Sequence, residues 1–183
     1  MDMVLEQRGG YGLRGKCKLL AAGVLAGALL LLSACDQDRL ANTQPGLSTE
    51  QEVLAQWGQP ERVWTDAQGQ RVLEYSRQPN GAENYMITIG PDGRVVTLQN
   101  VLTRENFVRI QPGMHMEEVR RLLGRPASAV PYDLKGEIVY QWRWREGTGG
   151  APFKLFIVTT DRQFIVKRVE QADAPTHSEQ RNR

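Results

Sequence analysis

The stretch GMHMEEVRRLLGRP, Gly113–Pro126, decides how this chain folds. On a helical wheel Met114, Val119, Leu122 and Leu123 fall close to one side, with Glu117, Glu118, Arg120 and Arg121 on the other. Gly124 comes directly after the last periodic residue and Pro126 blocks continuation, so the spacing predicts a short amphipathic helix ended by a left-handed Gly124. A looser version, STEQEVLAQWGQP, lies at Ser48–Pro60, where Gly58 precedes Gly124 by 66 residues. The same offset places Val53 on Val119, Glu52 on Glu118, Trp57 on Leu123 and Pro60 on Pro126. Self-similarity at a fixed period marks a repeated unit.

Beyond each helix stop the sequence turns strand-like. Ile138 to Arg145 (IVYQWRWR) alternates, with Ile138, Tyr140, Trp142 and Trp144 on one face and Val139, Gln141, Arg143 and Arg145 on the other. Phe153–Val158 and Gln163–Val169 read as two further strands, mirrored in the first half by Arg71–Tyr75, Tyr85–Ile89 and Arg94–Leu98. Pro79-Asn80-Gly81 and Pro91-Asp92-Gly93 supply hairpin turns, and Asp92 is matched to Asp161. A second short helix is expected over Thr103–Ile110, with Thr103 as its N-cap. The expected fold class is α+β: two tandem modules, each a short helical layer packed on a small antiparallel sheet of about three strands.

The front of the chain has a different character. Arg8, Arg14, Lys16 and Lys18 form a basic leader, an apolar run extends from Leu19 to Leu32, and the chain turns polar after Cys35. That order describes a secretory signal, and the run is short for a spanning helix. Leu32-Ser33-Ala34-Cys35 resembles the lipobox of bacterial lipoproteins. The resemblance implies lipid on the Cys35 thiol and a cleaved leader, with the acyl chains giving stable membrane attachment. An uncleaved anchor with an incidental cysteine is the competing reading. The expected division is a signal peptide at 1–34, a lipid-anchored tether at 35–46, a degenerate repeat at 47–101, a second domain at 102–171 and a disordered tail at 172–183.

Composition narrows the function. The chain carries 23 Lys and Arg against 21 Asp and Glu. The leader holds four of the bases and two of the acids (Asp2 and Glu6), so the remainder is formally neutral and lacks the basic excess of a nucleic-acid binder. Cys17 leaves with the leader and Cys35 is the anchor, so neither a disulfide nor a cysteine nucleophile is expected. The histidines, His115 and His177, do not form a metal-ligand spacing, and Gly147-Thr148-Gly149-Gly150 lacks the Lys-Ser/Thr of a phosphate loop. Neither an enzymatic activity nor a cofactor, metal or small-molecule substrate is expected. Trp142 and Trp144 read first as core. The second reading makes them, with Arg143 and Arg145, a patch for a partner protein or anionic lipid.

The run LTRENFVRIQPGMHMEEVRRLLGRP, Leu102–Pro126, resembles the BamE (SmpA/OmlA) family of bacterial envelope lipoproteins. The matching elements are Leu102-Thr103, Ile110, Gly113-Met114, Val119, Leu123-Gly124 and Pro126, with the aromatic strand at Tyr140-Gln141-Trp142 after them. The first half is a weaker copy, without the Gly-Met pair in register. The resemblance implies a non-enzymatic accessory or scaffold protein that binds envelope proteins, among them subunits of the β-barrel assembly machinery. It would face the periplasm from a lipid anchor, with the outer membrane favoured. Asp36, directly after the anchor, resembles an inner-membrane retention signal and keeps that membrane open. The tandem helix-plus-sheet plan also looks like the secreted β-lactamase inhibitory proteins, which would make the chain a binder or sensor of an envelope enzyme.

Overall fold

The computed structural model describes residues 36–147 and 151–174. Cys35, its lipobox, the leader and the tail beyond residue 174 lie outside them. Residues 36–42 are helical, with Arg39 paired to Asp36 at 3.2 Å. The rest forms two modules of one plan. The first runs α1 (Glu50–Trp57), β1 (Arg62–Thr65), β2 (Arg71–Ser76), β3 (Asn84–Ile89) and β4 (Val95–Asn100). The second runs α2 (Arg104–Phe107), α3 (Met116–Leu123), β5 (Ser128–Tyr132), β6 (Glu137–Trp144), β7 (Lys154–Asp161) and β8 (Val166–Asp173). Each module has its own antiparallel sheet, ordered β1-β2-β3-β4 and β5-β6-β7-β8.

Each sheet therefore has a strand that the sequence pattern did not reveal. β1 is four residues of half-buried and exposed side chains, and β5 contains Pro131 and is largely exposed. Both are edge strands, where a proline and weak alternation are tolerated because one side of the ladder is unpaired.

The repeat is visible in individual hydrogen bonds. Both helices begin with a capping box: Thr49 with Glu52, and His115 with Glu118. Both are preceded by a short ladder onto the start of the last strand. Gly46 N–H donates to Val95 at 2.8 Å in the first module, and Gly113 N–H donates to Val166 at 2.8 Å in the second. Gly46 thus takes the place of Gly113, one residue out of the helical register. Both helices end on a glycine whose carbonyl accepts from an aromatic side chain of the second strand. Tyr75 Oη reaches Gly58 at 3.0 Å, and Trp142 Nε1 reaches Gly124 at 3.0 Å. Burial raises the pKa of the Tyr75 hydroxyl to about 12, with a contribution from Glu50. The hairpins match at Gly90 and Asp161, not at Asp92 and Asp161. Gly93 N–H donates to Gly90 as Phe164 N–H does to Asp161, which corrects the alignment by two residues.

The layers stack as α1, first sheet, α3, second sheet. β2 is buried on both faces, because alternation sends Leu73 and Tyr75 toward α1, where Trp57 packs on Tyr75 at 5.4 Å, and Val72 and Glu74 toward α3. Beneath α2 and α3, the inner face of the second sheet supplies Trp142, Trp144, Phe156 and Val158 to a core completed by Phe107, Ile110, Val119 and Leu123. Phe107 stacks on Phe156 with centroids 4.2 Å apart.

Gly124 sits where the two modules meet. Its φ of 73° is positive as expected, but ψ is −166°, so it occupies the mirror-extended region and not the left-handed helical one. That region is essentially restricted to glycine. A Cβ there would also lie 3.0 Å from Asn84 Nδ2 and 3.2 Å from Met86 Cε. Gly58 has nearly the same dihedrals with nothing within 4 Å of a Cβ. Both glycines should resist replacement, unequally. Gly58→Ala carries strain alone, about 1 kcal/mol, whereas Gly124→Ala adds the overlap and should cost about 2 kcal/mol or more. Urea unfolding of the two variants checks the order, and equal losses would show that the module junction does not press on Gly124.

Candidate functional site

The C-terminal end of α3 is held from both sides. A helix leaves its last carbonyls without partners. Here Asn84 Nδ2 donates to Leu123 O at 2.7 Å and to Arg125 O at 2.8 Å, while Trp142 takes Gly124 O. Glu74, with no exposed surface, accepts from Arg125 N–H at 2.7 Å and from Arg120 Nη2 at 3.3 Å. Glu74 Oε2 and Arg120 Nε are buried without hydrogen-bond partners.

Beyond this junction an open cleft of about 520 Å³ runs along the N-terminal half of α3. β1 contributes Arg62, α3 contributes Met116, Glu117 and Arg120, and the chain entering β5 contributes Arg125 and Pro126. Tyr140 of β6, Phe164 of the β7–β8 turn, the capping His115 and the start of β5 also line it. Arg62 grips Glu117 through both terminal nitrogens, at 2.6 and 3.1 Å, which ties the edge strand of the first sheet to the second module. That bond holds the Glu117 carboxyl below its usual range. Arg125 reaches Glu61 at 3.2 Å through Nη1. His115 Nδ1 accepts from Glu117 N–H at 3.1 Å, so the proton of the neutral ring is on Nε2.

Phe164 is the outlier of the cleft. Its φ is 63°, the one positive value at a non-glycine among the described residues, and the residue is 44% exposed. A left-handed conformation costs a bulky L-residue about 1 to 2 kcal/mol. The matching position in the first module is Gly93, at φ 75°, where no such cost arises. The Phe164 ring stands 6.3 Å from that of His115.

The residues singled out from the sequence fall elsewhere. Trp142 and Trp144 are 0% and 2% exposed, so they cannot contact a partner, and the patch reading is corrected for both. Alternation sent them inward, and Trp142 is further occupied by Gly124. Arg143 and Arg145 lie half-buried on the opposite face, with guanidinium carbons 4.1 and 4.2 Å from the Phe153 ring centre. Arg143 also donates to Pro79 O at 3.1 Å, and its backbone exchanges two hydrogen bonds with the Gln78 side chain, sealing the end of β6. Gly113 and Met114 build the ladder before α3, Val119 is core, and Pro60 and Pro126 lie just past the two helix stops. Among the described residues there is no group of three or more His, Cys, Asp or Glu that could hold a metal. Arg62, Glu74, Gln78, Asn84 and Phe164 were missed. For Phe164 a signal exists: a phenylalanine stands where the other hairpin has its turn glycine.

Residues 99–168 match the model described as the outer membrane protein assembly factor BamE domain. The second module is similar to the BamE domain. The match covers α2, α3 and most of the second sheet, and reaches the first module only in the last residues of β4. No curated protein matches the chain significantly. Three solved structures are similar over part of it. A DUF4309-family protein of Bacillus subtilis is 19% identical, with 73% of this chain and 83% of that one covered and a TM-score of 0.28. A candidate β-lactamase inhibitor protein from Streptococcus mutans is 13% identical, with 70% and 84% covered and a TM-score of 0.29. An extracellular SCP-domain protein of Bacillus anthracis is 14% identical, with 76% and 49% covered and a TM-score of 0.28. At these scores the likeness carries no argument about this chain.

The Arg62–Glu117 bond makes a pH dependence testable. It favours the Glu117 carboxylate in the folded protein, so its contribution is complete above the ordinary carboxyl value of 4.5 and is lost as pH falls through the lowered one. Arg62→Gln removes the largest part of that difference, leaving what Arg121 and Arg120 contribute. Its melting temperature should therefore lie below that of the parent at neutral pH, and the gap should narrow as pH falls below 4.5. A gap that stays constant would assign no linkage to this pair.

Proposed function

We propose that this chain is a lipid-anchored periplasmic accessory protein of the bacterial envelope that serves outer-membrane protein assembly by binding other proteins. The match of residues 99–168 to the BamE domain model carries the reading. The lipobox-like Leu32-Ser33-Ala34-Cys35 supports it, since it supplies an anchor where no helix among the described residues is long and apolar enough to cross a membrane. The residues gathered at the cleft support it too. They are arginines held by carboxylates, a capping histidine and exposed aromatic surface, a composition suited to protein contact. In this reading the leader ends at residue 34 and the tether is shorter than 35–46, because Thr43 is buried against Trp57 and Gly46 N–H donates to Val95 in the first module. Residues 47–101 are then a diverged copy of the domain at 102–171, and the protein acts without catalysis. Outer-membrane attachment is the favoured site, with Asp36 the feature that would redirect it inward.

The test is crosslinking in intact membranes and then recovery through a tag on the polar C-terminal tail. Recovery of barrel-assembly subunits is the expected result. Recovery of a single envelope enzyme without those subunits would overturn it in favour of an inhibitor or sensor. Cys35→Ser should move the chain from the membrane to the soluble envelope fraction, and a variant that stays membrane-bound would remove the lipid anchor from the account.

A further inference from the structure

The two sheets can be laid on each other residue by residue. Tyr75 and Trp142 reach the two helix stops, and Gly90 and Asp161 begin the two last hairpins. Both sheets shift register at the same place, between Thr88 and Ile89 in one and between Thr159 and Thr160 in the other. In the first module one face holds a helix from outside that module. Glu74, Asn84 and Met86 meet α3 and the chain after it, with Val72 and Trp64 clustered beside Met86. The strand pairs Trp64–Val72 and Glu74–Met86 correspond to Val130–Val139 and Gln141–Ile157. The same face of the second sheet therefore carries Val130, Val139, Gln141, Ile157 and, in the place of Asn84, Leu155.

None of α1, α2 and α3 covers that counterpart. α1 packs on the first sheet through Trp57, and α2 and α3 pack on the inner face of the second, against Trp142, Trp144 and Phe156. The open face of an antiparallel sheet is ordinarily polar. This one has an aliphatic centre: Val139, Leu155 and Ile157 are half-buried, and Val130 beside them is 42% exposed. Asn84, which holds two carbonyls at the end of α3, has become Leu155, and Glu74 has become Gln141. The second face thus repeats the seat of a helix without the groups that hold a helix end. Around it the charges are engaged with their neighbours. Arg168 pairs with Glu137 and Glu170, Lys167 pairs with Glu137, and Arg143 and Arg145 lie over the Phe153 ring. The apolar surface, and not the rim, therefore decides what fits.

We propose that this open face of the second sheet seats an amphipathic helix of the partner protein, as the first sheet seats α3. The contact continues an interface that the chain already builds once within itself. The occupant presents aliphatic side chains along one helical stripe. It runs on past the face and does not end there, because Leu155 offers no donor to a terminal carbonyl. A second copy of the chain has no such stripe to offer from α1 or α3, since Val53 and Trp57 of one and Met116, Val119 and Leu123 of the other are already buried. The proposal rests on the protein-binding function above and places it on this face.

The test uses the whole chain in lipid nanodiscs, with empty nanodiscs measuring what the membrane itself takes up. Fluorescence anisotropy follows a labelled peptide of leucine, lysine and glutamate whose leucines repeat at helical spacing. A counterpart of the same composition has its leucines at alternate positions. The helical peptide should bind, and the alternating one should bind roughly tenfold or more weakly. Ile157→Lys should weaken binding by a similar factor with a melting temperature near that of the parent, since Ile157 is outside the buried core. Val130→Lys, on an edge strand, should do the same and serves if Ile157→Lys does not fold. Val108→Lys, which removes an apolar residue 69% exposed beside α2, should bind like the parent. The proposal is overturned if the two peptides bind alike, if the folded Ile157 and Val130 variants bind as tightly as the parent, or if Val108→Lys weakens binding as much as they do. It is also overturned if the chain is a dimer that these two variants make monomeric, which would give the face to a second copy. Recovery of assembly subunits in membranes with no peptide binding would remove the helix seat alone. Peptide binding without those subunits would remove the assembly role and keep the seat.

Discussion

The carbonyl groups at the end of α3 are the point on which the rest of the structure depends. The last carbonyls of a helix have no partner within it, and burying them unpaired would cost about 1 to 3 kcal/mol each. Water could satisfy them only if the helix end stayed exposed. In this chain one asparagine of the first sheet takes Leu123 O and Arg125 O, and a tryptophan of the second sheet takes Gly124 O. The helix end can be buried only when both sheets are in place, so the two modules are tied together by the polar demands of one helix terminus. Gly124 answers to the same constraint, since a side chain there would occupy the space of Asn84 and Met86.

That junction settles the relation of the two sheets. They do not join edge to edge. The first sheet presents a second buried face, with Val72, Glu74, Asn84 and Met86 directed at α3, and so makes a layer between two helices. Glu74 is the costly member of this face. It is fully buried, and it is tolerated because a backbone N–H and a guanidinium meet it there. Gln78 does similar work farther along, where its amide completes the hydrogen bonds of Arg143 that the short β5 leaves open. At the cleft Arg62 of the first module and Glu117 of the second form an ion pair.

The two modules keep the same structural devices with different residues. The capping box is kept with a change of residue, from Thr49 to His115. The aromatic that closes the helix stop is kept with a change from Tyr75 to Trp142. Each of these swaps preserves the hydrogen bond. The change from Gly93 to Phe164 brings no such gain to the fold, because it introduces strain and exposes a ring.

The sequence by itself determined the local structure. Period-3.6 and period-2 patterns, N-capping residues and helix-stopping glycines located both main helices, the short α2 and six of the eight strands, because those signals act over a few neighbouring residues. Leu102–Pro126 likewise pointed to the BamE family through closely spaced positions. Only the tertiary structure decided which face each element turns to what. Edge strands β1 and β5 were illegible because they bury too little to show a period. Trp142 and Trp144 could be assigned to core or to surface until the second sheet was seen covered by α2 and α3. Glu74, Asn84 and Arg62 carry no local signature, since their partners lie 39 to 55 positions away in the chain. The cleft exists only in space: its residues come from separate elements of both modules, and no periodicity connects them.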